Sequence, residues 1–250
     1  VTGLRIALCI TALSAITAHA GAQDSGSNPT MAVDGKRVSS KDLKKVSRDI
    51  EAFLKAATTP GSKAPQTPKT EVGRILNSIS EQSVQANLDL AKVIRENRIS
   101  SIAAAPTFQN IGTIHSGLLR IDAVRDAESK WTETKISLAK ELSSRFATPG
   151  FNNRMMQSVN ETLRYLEVLN DALDVVEDYL VFAKWHHPVV TEGSNIVRWP
   201  KDELPEVKTY ISNLKDALRK VTAASEVLHD QEAQHRIEAK KALSRLQSAS

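Results

Sequence analysis

Apolar residues in this chain recur alternately four and three positions apart, in runs that no proline interrupts. A repeat of about 3.5 residues is the seam along which helices pack at small crossing angles. The first run, Leu43, Val46, Ile50 and Phe53, is opened by Ser39 and Asp42 at capping-box spacing, with Asp in place of the usual Glu. The second is Val72, Leu76, Ile79, Ser83, Ala86, Leu90 and Val93. Leu118, Ile121, Val124, Trp131, Leu138 and Leu142 form a looser third. The fourth, Met156, Val159, Leu163, Leu166, Asn170, Leu173 and Leu180, is widened by Leu169, Val176 and Ala183. Asn170 there has the character of a register device. The fifth keeps the heptad longest, from Val207, Ile211, Leu214 and Leu218 through Leu228, Glu232 and His235 to Leu246.

Proline placement gives the boundaries independently. Pro106, Pro149, Pro188, Pro200 and Pro205 fall between the runs, and a proline inside a helix costs about 3 kcal/mol. The short gaps at Pro106 and Pro149 favour antiparallel neighbours. No period-two stretch of Val, Ile or Thr is long enough for a sheet. The expected fold is all-α, an antiparallel up-and-down helical bundle over residues 39–250, with four long helices and a shorter N-terminal helix. Residues 58–70, carrying Pro60, Gly61, Pro65 and Pro68, form a Pro-rich linker in this reading. One long loop, residues 187–204, exceeds the roughly 2–8 residues usual between bundle helices. Its apolar pairs flank Glu192-Gly193-Ser194-Asn195, the pattern of a small β-hairpin or a folded flap.

Residues 1–22 have the pattern of a secretory signal peptide. Arg5 precedes an uncharged stretch from Ile6 to Ala18, and small-x-small cleavage sites follow at Ala18-His19-Ala20 and Ala20-Gly21-Ala22. The stretch is shorter than the roughly 20 residues a membrane span needs. The expected location is periplasmic or secreted, with no integral membrane segment after cleavage, and Val1 suggests a translated alternative bacterial start codon. Cys9 is the single cysteine and follows Leu8 within the apolar stretch, a position unsuited to lipidation. The cleaved chain would then have no disulfide, thiolate metal site or cysteine nucleophile. Residues 23–38, rich in Ser, Gly, Asp and Asn, suit a disordered leader, with Asp34-Gly35 placed for a tight turn.

The formal net charge of +4 comes from 33 basic and 29 acidic residues mixed along the chain, which gives no stripe for a phosphate backbone and argues against nucleic acid. In the last helix, too, acids interleave with the Lys and Arg residues, the mark of a solvated face. Gly-x-Ser-x-Gly, His-Glu-x-x-His and a phosphate-cradling glycine loop are all missing, so neither an enzyme nor a cofactor is expected. Two constellations still carry chemistry. Glu226 with His229, and Glu232 with His235, are Glu-x-x-His spacings. Glu232 and His235 lie on the seam and are the candidate metal ligands, although no other helix supplies a second copy of the motif, as di-metal bundles do. Trp185, His186 and His187, with Trp199, are the candidate ligand-binding set, and the same residues also suit simple helix termination before Pro188. The leading expectation is a non-enzymatic bundle that works by binding an unknown protein partner or forming a homo-oligomer. Its competitor is a ligand- or metal-binding bundle, sensor or metalloenzyme, built on Glu232 and His235 or on the Trp185–His187 and Trp199 region.

Overall fold

The computed structural model describes residues 32–58, 68–146, 151–191 and 195–248. Five α-helices carry these residues: α1 (Ser40–Thr58), α2 (Glu71–Glu96), α3 (Ile111–Arg145), α4 (Phe151–His186) and α5 (Leu204–Ser248). Two small antiparallel hairpins accompany them, β1 (Ala32–Val33) with β2 (Lys36–Arg37) and β3 (Val189–Val190) with β4 (Val197–Arg198). The protein is an all-α bundle, as the heptad spacing predicts. The expected signal peptide, Cys9 and linker residues 59–67 lie outside the described residues.

Local chemistry sets the helix ends. The Asp42 N–H donates to Ser39 Oγ at 3.2 Å and the Ser39 hydroxyl donates to Asp42 Oδ2 at 2.6 Å, closing the box at the start of α1. Asn110 and Thr113 do the same for α3, through Thr113 N–H to Asn110 Oδ1 at 2.9 Å and Asn110 N–H to Thr113 Oγ1 at 3.0 Å. Pro205 sits in the first turn of α5, where no N–H is needed. Beyond α2 and α4 the chain leaves the helix through left-handed residues, Arg98 (φ 46°) and His187 (φ 45°). The Arg120 guanidinium then donates to the terminal carbonyls of Asn97 and Arg98, as suits the negative end of α2.

The leader expectation for residues 23–38 needs correcting over its last part, because Ala32–Arg37 form a paired hairpin ahead of Ser39. Asp34 (φ 48°) and Gly35 (φ 74°) turn the β1–β2 hairpin, as their pairing suggests. What holds it is tertiary: Val33 is buried, and the Asp34 N–H donates at 2.9 Å to the Arg145 carbonyl at the end of α3.

The described residues form two compact units. The first comprises those up to Asn87, Thr132–Thr162 and those from Leu228 onward. Val46, Ile50, Val72, Leu76, Ile79, Leu138, Leu142 and Val159 are among its buried apolar residues. Helix α1 packs in this unit and does not swing free. Its Asp49 carboxylate accepts the Thr70 N–H at 2.9 Å and the Thr70 hydroxyl at 2.6 Å just before α2. Gly73 is required beside that contact, since a Cβ there would lie 2.6 Å from Asp49 Oδ2. The unit also buries an amine, with Lys135 of α3 donating to the carbonyl and hydroxyl of Ser83 on α2.

The second unit comprises Leu88–Trp131 and Leu163–Val227. Its core gathers Ile102, Phe108, Ile114, Ile121, Val124, Leu173, Tyr179, Leu180 and Ala183. Contacts run antiparallel here. Phe108, ahead of α3, meets Tyr179 late in α4, whereas Arg125 further along α3 pairs with Asp174 and Glu177 earlier in α4. Likewise His186 at the end of α4 meets Glu203 just before α5, and Tyr179 meets Tyr210 further along it.

Candidate functional site

Five aromatic side chains of the second unit, Phe108, Tyr179, Phe182, Trp199 and Tyr210, collect where α4 ends, the β3–β4 hairpin returns and α5 begins. Periodicity explains the α4 members: Tyr179, Phe182 and His186 are three and four residues apart and share one face. Phe182 stacks on the His186 ring at 4.1 Å between centroids, and its neighbours are Trp199 at 5.4 Å and Tyr210 at 4.9 Å. Tyr179 lies 5.8 Å from Trp199, which closes the cluster. These separations are those of favourable tilted and stacked aromatic pairs. Burial pushes the Tyr179 hydroxyl up, and it does the same for Tyr210 with help from Glu206 and Asp178.

On this floor sits one polar pair, His186 Nδ1 against Glu203 Oε1. Glu203 precedes α5 in a 3-10 turn, Lys201–Glu203, and its other oxygen is buried with no hydrogen-bond partner. A carboxylate behind an imidazole fixes the ring's orientation. The arrangement can clamp the end of α4 to the start of α5, or present the remaining ring nitrogen to a ligand. Beside it an open cleft of about 450 Å³ is lined by Phe108, Asn110, Ile111, Ile114, His187 and Pro188 among others. Phe108 joins the two features, since the same ring is 5.2 Å from Tyr179 and 6.2 Å from Trp199.

The expected ligand-binding set is thus only partly brought together. His186 and Trp199 share the aromatic cluster, with Phe182 between them. His187 lines the cleft in a left-handed conformation that ends α4, and Trp185 is 72% exposed. Phe182 was legible from its one-turn spacing to His186. Glu203 was not, because it lies 17 positions along the chain across a hairpin.

Of the expected metal ligands, His235 is half-buried and its Nε2 lies 2.9 Å from Glu161 Oε2 on α4. Glu161 also accepts from Gln157 Nε2 at 3.1 Å. The Glu232 side chain lies outside the described residues. Among the described residues no group of three His, Cys, Asp or Glu is placed to hold a metal ion.

The remaining feature is a surface. Within the second unit α5 buries Val207 and Ala217 and half-buries Leu214 and Val221, while Leu204, Ile211 and Leu218 stay exposed, Leu218 by 65%. These three are spaced by seven, so they form a single apolar row on the helix. Lys208 and Lys215 lie three and four positions from its members and flank the row on its solvent side, both exposed. No described helix is long and apolar enough to cross a membrane. No protein-family model matches the chain, and neither the curated proteins nor the solved structures yield a significant match, so its fold and sites stand on its own residues.

Proposed function

We propose that the chain is an exported, non-enzymatic helical bundle that works by holding an amphipathic helix of a partner protein along α5. The observation that carries this is the exposed row Leu204, Ile211 and Leu218. A heptad seam needs two facing rows, and the row at Val207, Leu214 and Val221 already turns inward. An apolar row of this kind is the groove-side half of helix recognition. Lys208 and Lys215 select the occupant: a helix whose apolar face is flanked by Glu or Asp gains from the pairing, and a basic one is repelled. The signal-peptide pattern of residues 1–22 supports the exported setting.

The test uses a labelled synthetic peptide with Leu at the seam positions of each heptad and Glu flanking them, titrated against the purified protein by fluorescence anisotropy. Binding is expected to weaken by roughly 30-fold or more in Leu218→Glu, the scale of a central hot-spot residue. It should also weaken with added salt and on Lys208→Glu, while the melting temperature holds. Equal binding of a Lys-flanked peptide would sink the charge argument. A dimer that dissociates in Leu218→Glu, seen by sedimentation, would make the occupant a second copy of this chain. Export is checked by N-terminal sequencing of the protein from a periplasmic fraction, with a new terminus expected after Ala20 or Ala22.

The second reading, a ligand-binding bundle, is favoured by the cleft beside His186 and Glu203. Native mass spectrometry separates the two, because a stoichiometric small-molecule or metal mass lost in His186→Ala belongs only to this one.

A further inference from the structure

Seven buried residues run along one face of α3: Ile121, Val124, Glu128, Trp131, Lys135, Leu138 and Leu142. Their spacing alternates three and four throughout, so helix geometry places Glu128 in the core by phase as well as by contact. Its side chain belongs to a residue 3% exposed, both carboxylate oxygens are buried with no donor in good hydrogen-bond geometry, and the pull of the Asn170 amide on them is outweighed by burial. A carboxylate in that position bears the full cost of lost hydration, whereas a carboxylic acid does not.

The charged groups around it do not repair this. Arg125, one turn away on α3, is taken by Asp174 and Glu177. Lys135 lies two turns along, about 10 Å away by helix rise, with its amine on Ser83. From α4 the neighbours are Asn170 and the Tyr165 phenol, whose own pKa is raised by burial and then by Glu128. Counting from the Arg120–Asn97 and Tyr179–Tyr210 contacts, α2 and α5 bring Asp89, Lys92, Arg219 and Lys220 to this level, and all four are exposed.

We infer that Glu128 is a proton-operated latch in the second unit: neutral, it completes the core between α3 and α4, and losing its proton to solvent at rising pH loosens that contact around Asn170. The inference is independent of any partner on α5. Burial pushes the Glu128 carboxyl up from the usual 4.5 to about 7, against the pull of Asn170 and Arg125. The sign follows by linkage. Above about pH 4.5 an unfolded chain has released this proton and the folded one still holds it. The added stability is therefore complete below about pH 4.5 and is lost as the pH rises through about 7. Between about pH 5 and pH 9 the folding constant should fall by roughly 10²-fold on this account.

The experiment measures urea unfolding of the whole chain across that range for wild type, Glu128→Gln and Glu128→Leu, together with the side-chain carboxyl ¹³C titration assigned by its loss in Glu128→Gln. Amide exchange, corrected for its intrinsic pH dependence, follows residues 124–131 and 166–173. Expected are a titration midpoint well above the ordinary glutamate range, a stability slope that vanishes in either variant, and protection lost first in those two segments. A midpoint near 4.5, the same slope in both variants, or a uniform loss of protection over all helices would each overturn the latch. Glu128→Gln alone suffices if Glu128→Leu fails to fold.

Discussion

Replacing Phe108 by Ala should lower the unfolding free energy by about 3–5 kcal/mol, the range for emptying a buried aromatic site. The ring is 2% exposed and belongs to the short 3-10 turn Ala105–Phe108, so no long helix holds it in place. Its anchorage is lateral, through Tyr179 and Trp199. Removing it strips one edge from each of those rings and opens the floor of the neighbouring cleft. Collapse of the turn is resisted by Pro106 and by Gly117, where a Cβ would already lie 3.0 Å from Leu180 Cδ1, so most of the cavity should persist. The check is equilibrium unfolding followed by both far-UV circular dichroism and tryptophan fluorescence. Phe108→Leu, which keeps much of the volume, should recover more than half of the loss. A loss under about 1 kcal/mol for Phe108→Ala would mean that the aromatic end is not packed as described.

How much of this was legible depends on what each residue had to reveal. The helices announced themselves because the prolines fall between the runs or in a first turn while the apolar residues of each run keep heptad spacing, and the structure places all five where those two signals coincide. The α3 seam looked loose for a specific reason. Two of its positions, 128 and 135, are Glu and Lys, which a hydrophobic pattern counts as surface, yet both are buried. Sequence spacing did carry the answer, since 124, 128, 131, 135 and 138 keep the alternation, but polarity overruled phase in the reading. The α5 seam failed in the opposite sense. Ile211 and Leu218 have the phase and the polarity of core residues and are nevertheless exposed. Periodicity within one helix specifies which residues share a face; it does not specify how many neighbours are available to cover that face. Pairings across long separations, His186 with Glu203 and His235 with Glu161, were beyond reach for the same reason.

Lys135→Ala should cost about 3–4 kcal/mol, the largest effect expected from any charged residue in the first unit. Two contributions act together. The four-carbon stem is buried on the same helix face as Leu138 and Leu142, so truncation leaves a cavity. The ammonium also satisfies the Ser83 hydroxyl, which is otherwise buried in α2. Lys135→Met separates them, because it restores the stem and omits the charge. The Ser83 carbonyl lies within α2, where a helical N–H can still serve it, so at Ser83 the Met variant costs the hydroxyl its partner, and it relieves the burial of a cation. The Met variant should therefore fall within about 1.5 kcal/mol of wild type, and Ser83→Ala together with Lys135→Met should be closer still. If Met costs as much as Ala, the charged hydrogen bonds and not the stem hold this part of the core. A Met variant that keeps its stability while its α2 and α3 amide resonances broaden would give the buried amine a different role. An ammonium on a seam is satisfied only when one particular turn of the facing helix supplies its acceptors, so it would then be fixing the α2–α3 register.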